Sequence, residues 1–263
     1  MKIIRFIRQE AAALWIFALV FMAGALNAAG FLQFAQTLSH MTGNITKLGL
    51  TLTGVSPEPF WWFLLILLSF FLGATASGYA FPTHSRGQWR RCGLVLVVSG
   101  LLLLLSKLAF GLIPLRMCVL ALVLGAQNGL ALRYRGILTR TTHITGHLTD
   151  CGAALGRMIK ARDWRGDNLR AFLLHLCALL FFLLGVLAIS GLFTRHPGGR
   201  SLSAVDVCGL LYVALGAGML LGPGRVRIGG QGEGWRWKWR RGKKTGAVAV
   251  AMAPGLLFVR TPN

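Results

Sequence analysis

Acidic side chains are scarce in this sequence: 7 Asp and Glu stand against 28 Lys and Arg. Charge of either sign is scarce as well, at 13% of residues, where a soluble globular domain carries about 25%. The carboxylates (Glu10, Glu58, Asp150, Asp163, Asp167, Asp206, Glu233) are scattered, and no acid/base pair stands out among them. The chain has no G-x-S-x-G, no Walker loop and no dinucleotide fingerprint. An enzyme is therefore not expected, and no cofactor is implied. The five cysteines (Cys92, Cys118, Cys151, Cys177, Cys208) stand singly without a C-x-x-C pair, which argues against a disulfide framework or a zinc knuckle. They read as small buried apolar side chains.

What the chain does have is apolar sequence, 55% of it, in long runs with the basic residues in the gaps. A nucleic-acid binder would carry its basic residues on the face of a soluble domain, so no nucleic-acid partner is expected and the lipid bilayer is. Six runs read as spans: Ala11–Leu32, Phe60–Ala80, Cys92–Leu108, Met117–Leu132, Leu169–Ser190 and Ser203–Leu221. The first is expected to be retained rather than cleaved as a leader, because its Gly24 and Asn27 are echoed later at Gly125 and Asn128. With the N-terminus inside, only Lys47, Lys107, Arg116, Arg195 and Arg200 of the 28 basic residues fall in outer segments. Positive residues favour the cytoplasmic side, so both termini are expected there.

The echo is part of a long-period repeat. His40-Met41-Thr42-Gly43-Asn44-Ile45-Thr46-Lys47-Leu48-Gly49 returns as His143-Ile144-Thr145-Gly146-His147-Leu148-Thr149-Asp150-Cys151-Gly152. Three spans per copy force the second copy through the membrane upside down, as in many secondary transporters. The expected fold is all-α: a polytopic transmembrane bundle of six spans in two inverted three-helix repeats, residues 1–113 and 114–224. Each repeat carries a broken or re-entrant half-helix (Ile45–Leu52, Leu148–Ile159), with Thr42 and Thr145 as N-caps. Gly43 and Gly146 would permit a close turn. Irregular backbone at membrane depth must line a wet cavity or be buried in protein; short helices lying on the membrane surface are the alternative. Residues 225–263 form a basic, Trp-rich cytoplasmic tail whose Trp235, Trp237 and Trp239 alternate with basic residues, as suits anionic lipid headgroups. Small residues at Gly73-x-x-x-Ser77, Ala74-x-x-x-Gly78 and Ala214-x-x-x-Gly218-x-x-x-Gly222 allow close helix contact within one chain or in a homo-oligomer.

The candidate site joins the two motifs: His40, Thr42, Gly43, Asn44 and Thr46 with His143, Thr145, Gly146, His147, Thr149 and Asp150, supported by Asn27, Gln127 and Asn128 in the spans. Helix N-termini there favour an anionic group, and Asp150 or a histidine would couple movement to protons. His143 and His147 share a helix face, but a zinc helix would need Glu where Ile144 stands, so polar lining is favoured over a metal. Lys47 and Asp150 occupy equivalent slots and would form a charge pair if the halves meet. The other reading puts Lys47 at the outer surface and Asp150 in cytoplasmic water. The amides Asn27, Gln127 and Asn128 either tie helices together or touch substrate.

Four motifs in order carry a resemblance: Gly24-Ala25-Leu26-Asn27-Ala28-Ala29-Gly30-Phe31, His40-Met41-Thr42-Gly43-Asn44, Leu124-Gly125-Ala126-Gln127-Asn128 and Arg140-Thr141-Thr142-His143-Ile144-Thr145-Gly146. From Ala11 to Gly222 the chain resembles the YoaK family of bacterial inner-membrane proteins. The resemblance implies a polytopic, usually six-span protein of the bacterial inner membrane, with no established activity. The chain departs from that pattern at His143, where Tyr is expected, and at His147, where Thr is expected. The departure counts against a metal or proton-relay role built on those two histidines. The functional expectation is a small-solute or ion transporter or channel with a midplane site between the two Thr-Gly motifs. The alternative is a non-transporting membrane scaffold or partner-binding subunit.

Overall fold

The computed structural model describes residues 2–81, 88–109, 111–130, 132–134, 137–194 and 202–221. The chain divides into two units, Met1–Gly232 and Glu233–Asn263. The expected tail, 225–263, lies outside the described residues, and the whole second unit with it.

The first unit is built from α1 (Lys2–Phe34), α2 (Met41–Leu52), α3 (Phe60–Ala80), α4 (Gln88–Leu105, closed by a 3-10 turn at Ser106–Ala109), α5 (Ile113–Gly129), α6 (Ile144–Ala161), α7 (Gly166–Thr194) and α8 (Ala204–Leu221). A small antiparallel hairpin, β1 (Leu132–Tyr134) and β2 (Ile137–Thr139), joins α5 to α6, pairing Leu132 with Thr139 and Tyr134 with Ile137. This hairpin is the departure from an all-α chain. Local chemistry sets several boundaries. Pro114 sits in the first turn of α5, where a missing N–H costs nothing. Ser203 and Asp206 form a reciprocal capping box at the start of α8, with Ser203 N donating to Asp206 Oδ2 at 3.0 Å and Asp206 N to Ser203 Oγ at 3.2 Å. Arg162, left-handed at φ 49°, closes α6.

Among the described residues five helices are long and apolar enough to cross a membrane: Ala13–Phe34, Phe60–Ala80, Trp89–Ala109, Gly166–Phe193 and Ala204–Leu221. The expected fourth span is shifted relative to its sequence run: its helix has 17 residues, begins at Ile113 rather than Met117 and ends at Gly129 rather than Leu132. The chain has already entered β1 by Leu132. At 1.5 Å per residue, α5 reaches roughly 25 Å against a hydrocarbon core of about 30 Å. Large apolar side chains face outward on α3 (Leu68, Phe71, Leu72) and α7 (Leu180, Leu183, Leu184, Leu187), a surface that suits lipid tails and not water.

α1 and α5 are the most enclosed helices. Ile16, Leu19, Val20, Ala23, Ala25, Leu26 and Ala29 of α1 are fully buried, and nine residues of α5 are buried. Around them the helices contact in couples: α1 with α7, α3 with α5, and α4 with α8. Each couple crosses at glycine. A Cβ on Gly24 would strike the Phe182 carbonyl and one on Gly185 the Phe21 carbonyl; on the other couple Gly125 meets Phe70 and Gly73 meets Leu122. α4 and α8 meet twice, Gly93 against Gly216 and Gly100 against Gly209. The order of these contacts makes α4 and α8 antiparallel. α3 and α5 run in the same direction, as Ser77 Oγ donates to the Ala126 carbonyl (2.5 Å) and Gly129 lies against Ala74 and Ser77. α1 and α7 also run in the same direction, with Phe17 stacked on Phe181 and, further along both helices, Gly24 against Phe182.

The repeated motifs form α2 and α6, each a single unbroken helix. α2 lies on α3 and α6 on α7. Their N-caps are His40 and His143, without side-chain cap bonds, and not Thr42 and Thr145 as expected. The two threonines stand within the first turn, where their carbonyls accept from Thr46 Oγ1 (3.0 Å) and Thr149 Oγ1 (2.9 Å).

Candidate functional site

The two motif copies fold alike down to individual hydrogen bonds. Asn27, near the end of α1, accepts from Ser39 Oγ at 3.1 Å. Asn128, at the same point of α5, accepts from the Thr142 amide at 3.4 Å. The fifth motif residue is buried in both copies and reaches back to a main-chain carbonyl. Asn44 Nδ2 donates to Thr37 O at 3.4 Å, and His147 Nε2 lies 3.0 Å from Arg140 O. In both copies the capping histidine folds its ring over the motif glycine, Gly43 or Gly146.

The amides are thus internal ties. Gln127, fully enclosed, donates from Nε2 to Leu19 O (2.7 Å) and Thr141 Oγ1 (2.9 Å), and its Oε1 accepts from the Tyr212 hydroxyl. This network joins α1, α5, α8 and the approach to α6, and uses both N–H groups of the amide.

The two copies differ in what they surround. A cavity of about 160 Å³ is lined by Arg140, His143, Gly146, His147, Asp150 and His175, all from the second half. A second cavity of about 210 Å³ lies between α1 and α7, lined by Asn27, Ala28, Phe31, Leu32, Thr37, Val186 and Ser190. The structure therefore brings His143, Gly146, His147 and Asp150 together and puts Asn27 in the other cavity. His40, Thr42, Gly43, Asn44, Thr46, Thr145, Thr149, Gln127 and Asn128 line neither. A single chamber shared by both motifs is not what these two cavities form.

Lys47 and Asp150 take local partners instead of each other. Lys47 Nζ donates to Gln36 Oε1 at 2.7 Å and sits 5.6 Å from the centre of the Phe63 ring. Asp150 Oδ2 lies 3.9 Å from His175 Nε2, with the carboxylate 63% exposed and the imidazole 5% exposed. The reason is the hairpin geometry: each motif helix folds onto the long helix that follows it, so its charged residue meets that helix.

His175 is the residue that the motif reading passed over. Its Nδ1 lies 2.9 Å from His147 Nδ1. The signal was an ionisable side chain inside an otherwise apolar span, which is costly and usually functional. Burial pushes the His147 imidazole below its ordinary 6.5. His175 and His143 add to that effect, while the Arg140 carbonyl and Asp150 oppose it. Among the described residues no group of three or more His, Cys, Asp or Glu is arranged to hold a metal ion.

Comparison with curated proteins and with solved structures returned no match. Residues 15–217 match a family whose description is "Protein of unknown function (DUF1275)", and that stretch contains both motif copies, the couples of crossing helices and the His147–His175 cavity. The chain belongs to this family of unknown function.

Proposed function

We propose that the protein is a small-solute or ion transporter or channel of the bacterial inner membrane, made of two inverted halves. In this reading α5 is a sixth, short crossing and the Lys/Arg-rich segments face the cytoplasm. The observation that carries it is the equivalence of contacts between halves. Exchanging α1 with α5, α2 with α6, α3 with α7 and α4 with α8 turns the α1–α7 couple into α5–α3 and the α2–α3 contact into α6–α7. The α4–α8 couple maps onto itself. The helix directions obey the same exchange, as a two-fold axis in the membrane plane requires. α2 and α6 then enter from opposite faces, each presenting an amphipathic side to its long partner.

The working site in this reading is the cavity at the second motif, because that half gathers the ionisable groups. Reconstitution in proteoliposomes tests it: flux of a solute or ion from a broad panel is expected, and single cysteines at Thr42 and Thr145 are expected to label from opposite sides. Labelling of both from one side, or no flux together with tight capture of a partner, favours the non-transporting scaffold.

A further inference from the structure

The groups from the Arg140 carbonyl through His147 and His175 to Asp150 admit one consistent arrangement of protons. A carbonyl only accepts, so His147 Nε2, 3.0 Å from Arg140 O, carries the hydrogen. A neutral imidazole has a single N–H, which makes His147 Nδ1 an acceptor. His175 Nδ1, 2.9 Å away, therefore donates. That leaves His175 Nε2 with a lone pair, facing the Asp150 carboxylate at 3.9 Å. A proton arriving there keeps every existing hydrogen bond and adds an ion pair. A second proton would have to bind His147 Nδ1, head-on against the N–H of His175 in a buried pair. The pair therefore takes one proton and not two.

The surroundings isolate this position. His147 and Asp150 face His175 from α6, while His143 and Arg140 line the same cavity. On α7 itself Arg170 is paired with Asp167 at 3.0 Å. α1, packed against α7, has no titratable side chain from 13 to 34. The exposed Asp150 carboxylate connects the buried imidazole to water.

The first half lacks all of this at the matching positions. Where the second half has His147, Asp150 and His175, the first has Asn44, Lys47 and Phe63, the last placed by the equivalent glycine crossings Gly73 and Gly185. Asn44 makes the same tie to a carbonyl without titrating, and Lys47 sits over the Phe63 ring where Asp150 faces His175.

We infer that the second half holds a proton-binding site, in which His147, His175 and Asp150 take up a single proton at His175 Nε2, and that this proton is the coupling ion. Uptake forms the Nε2–H bond from a proton delivered by water past Asp150, and the imidazolium is balanced by that carboxylate. The coupling rests on the transport reading; the proton site does not.

Histidine-selective nitrogen NMR of the full chain in lipid nanodiscs tests the site between about pH 5 and 8, the range in which histidine titrates. Expected are the Nε2–H tautomer for His147 and the Nδ1–H tautomer for His175 at high pH, with only His175 becoming a cation on acidification. His175→Phe, which installs the residue of the other half, removes one bound proton. Asp150→Asn, at an exposed position and tolerated by the fold, lowers the pH at which His175 charges. Two cations in the pair, no titration by either histidine, or an unmoved His175 midpoint in Asp150→Asn overturns the proposal. In proteoliposomes a pH gradient is expected to drive solute flux, and Asp150→Asn to abolish that drive. Flux indifferent to the gradient overturns the coupling and leaves the transport reading standing. A His175 that titrates as expected with no flux of any solute keeps the proton site and removes the transporter.

Discussion

The ring of His143 lies over Gly146 so closely that a Cβ on that glycine would occupy the place of the ring's Cδ2. What must give way is a side-chain ring and not a backbone. Gly146→Ala is therefore expected to swing His143 out of the cavity at a stability cost of about 1 kcal/mol, the low end for overpacking. Thermal unfolding combined with the His143 NMR shift checks both parts.

Glycines at the helix crossings are expected to behave differently. A Cβ on Gly125 would meet the Phe70 carbonyl, so the α3 and α5 backbones must separate. Gly125→Ala is expected to cost about 1–3 kcal/mol or more. Gly152, on the open side of α6 with nothing near it, is the control: Gly152→Ala is expected to be neutral or to stabilise by up to ~1 kcal/mol. Equal effects at the two sites in denaturant or thermal unfolding would remove the crossing argument.

Gln127→Leu would leave the Tyr212 hydroxyl and Thr141 Oγ1 buried without their partner. Each stranded group costs about 1–3 kcal/mol. Adding Tyr212→Phe removes one of them, so the double variant is expected to be no less stable than Gln127→Leu alone. A double-mutant cycle reads the coupling.

The depressed His147 value has a definite sign. Below about 6.5 the unfolded chain binds a proton that folded His147 resists. Its contribution to stability is thus complete above that pH and is lost as pH falls through the lower folded value. Unfolding midpoints are expected to drop on acidification. His147→Asn, which copies Asn44 and keeps a donor for the Arg140 carbonyl, is expected to flatten that dependence. A pH profile unchanged in His147→Asn would assign the effect elsewhere.

α1 is followed directly by Ala35, whose φ of 53° places an L-residue in the left-handed region. That conformation costs roughly 1–2 kcal/mol with a Cβ. Ala35→Gly is expected to raise stability by about 1 kcal/mol, measured by unfolding in the same detergent or nanodisc.

Much of this architecture was legible in the sequence because periodic apolar runs and a long repeat are read without knowing any contact. Asn27 with Asn128, and Gly24 with Gly125, already identified matching positions in the two halves. What could not be read was which side chain meets which. Lys47 and Asp150 share a slot and carry opposite charge, yet neither reaches the other, because α2 and α6 fold onto different partners. The N-cap position fell to His40 and His143 because the helices begin at Met41 and Ile144, one residue before the threonines. His175 lay inside a span counted for its hydrophobicity, and only the fold of α6 along α7 puts it against His147. The end of α5 was overrun because Leu130 and Leu132 are apolar, although by Leu132 the chain is a strand.

The glycine crossings also determine how the molecule can move. Where Gly24 meets Phe182 and Gly185 meets Phe21, and where Gly125 meets Phe70 and Gly73 meets Leu122, main chain rests on main chain with no compressible side-chain layer between. Each couple therefore behaves as a rigid lever. If the protein transports as proposed, rocking is expected along the looser seams that join α1 to α8, α4 to α5 and α1 to α5, and probes of alternating exposure belong there.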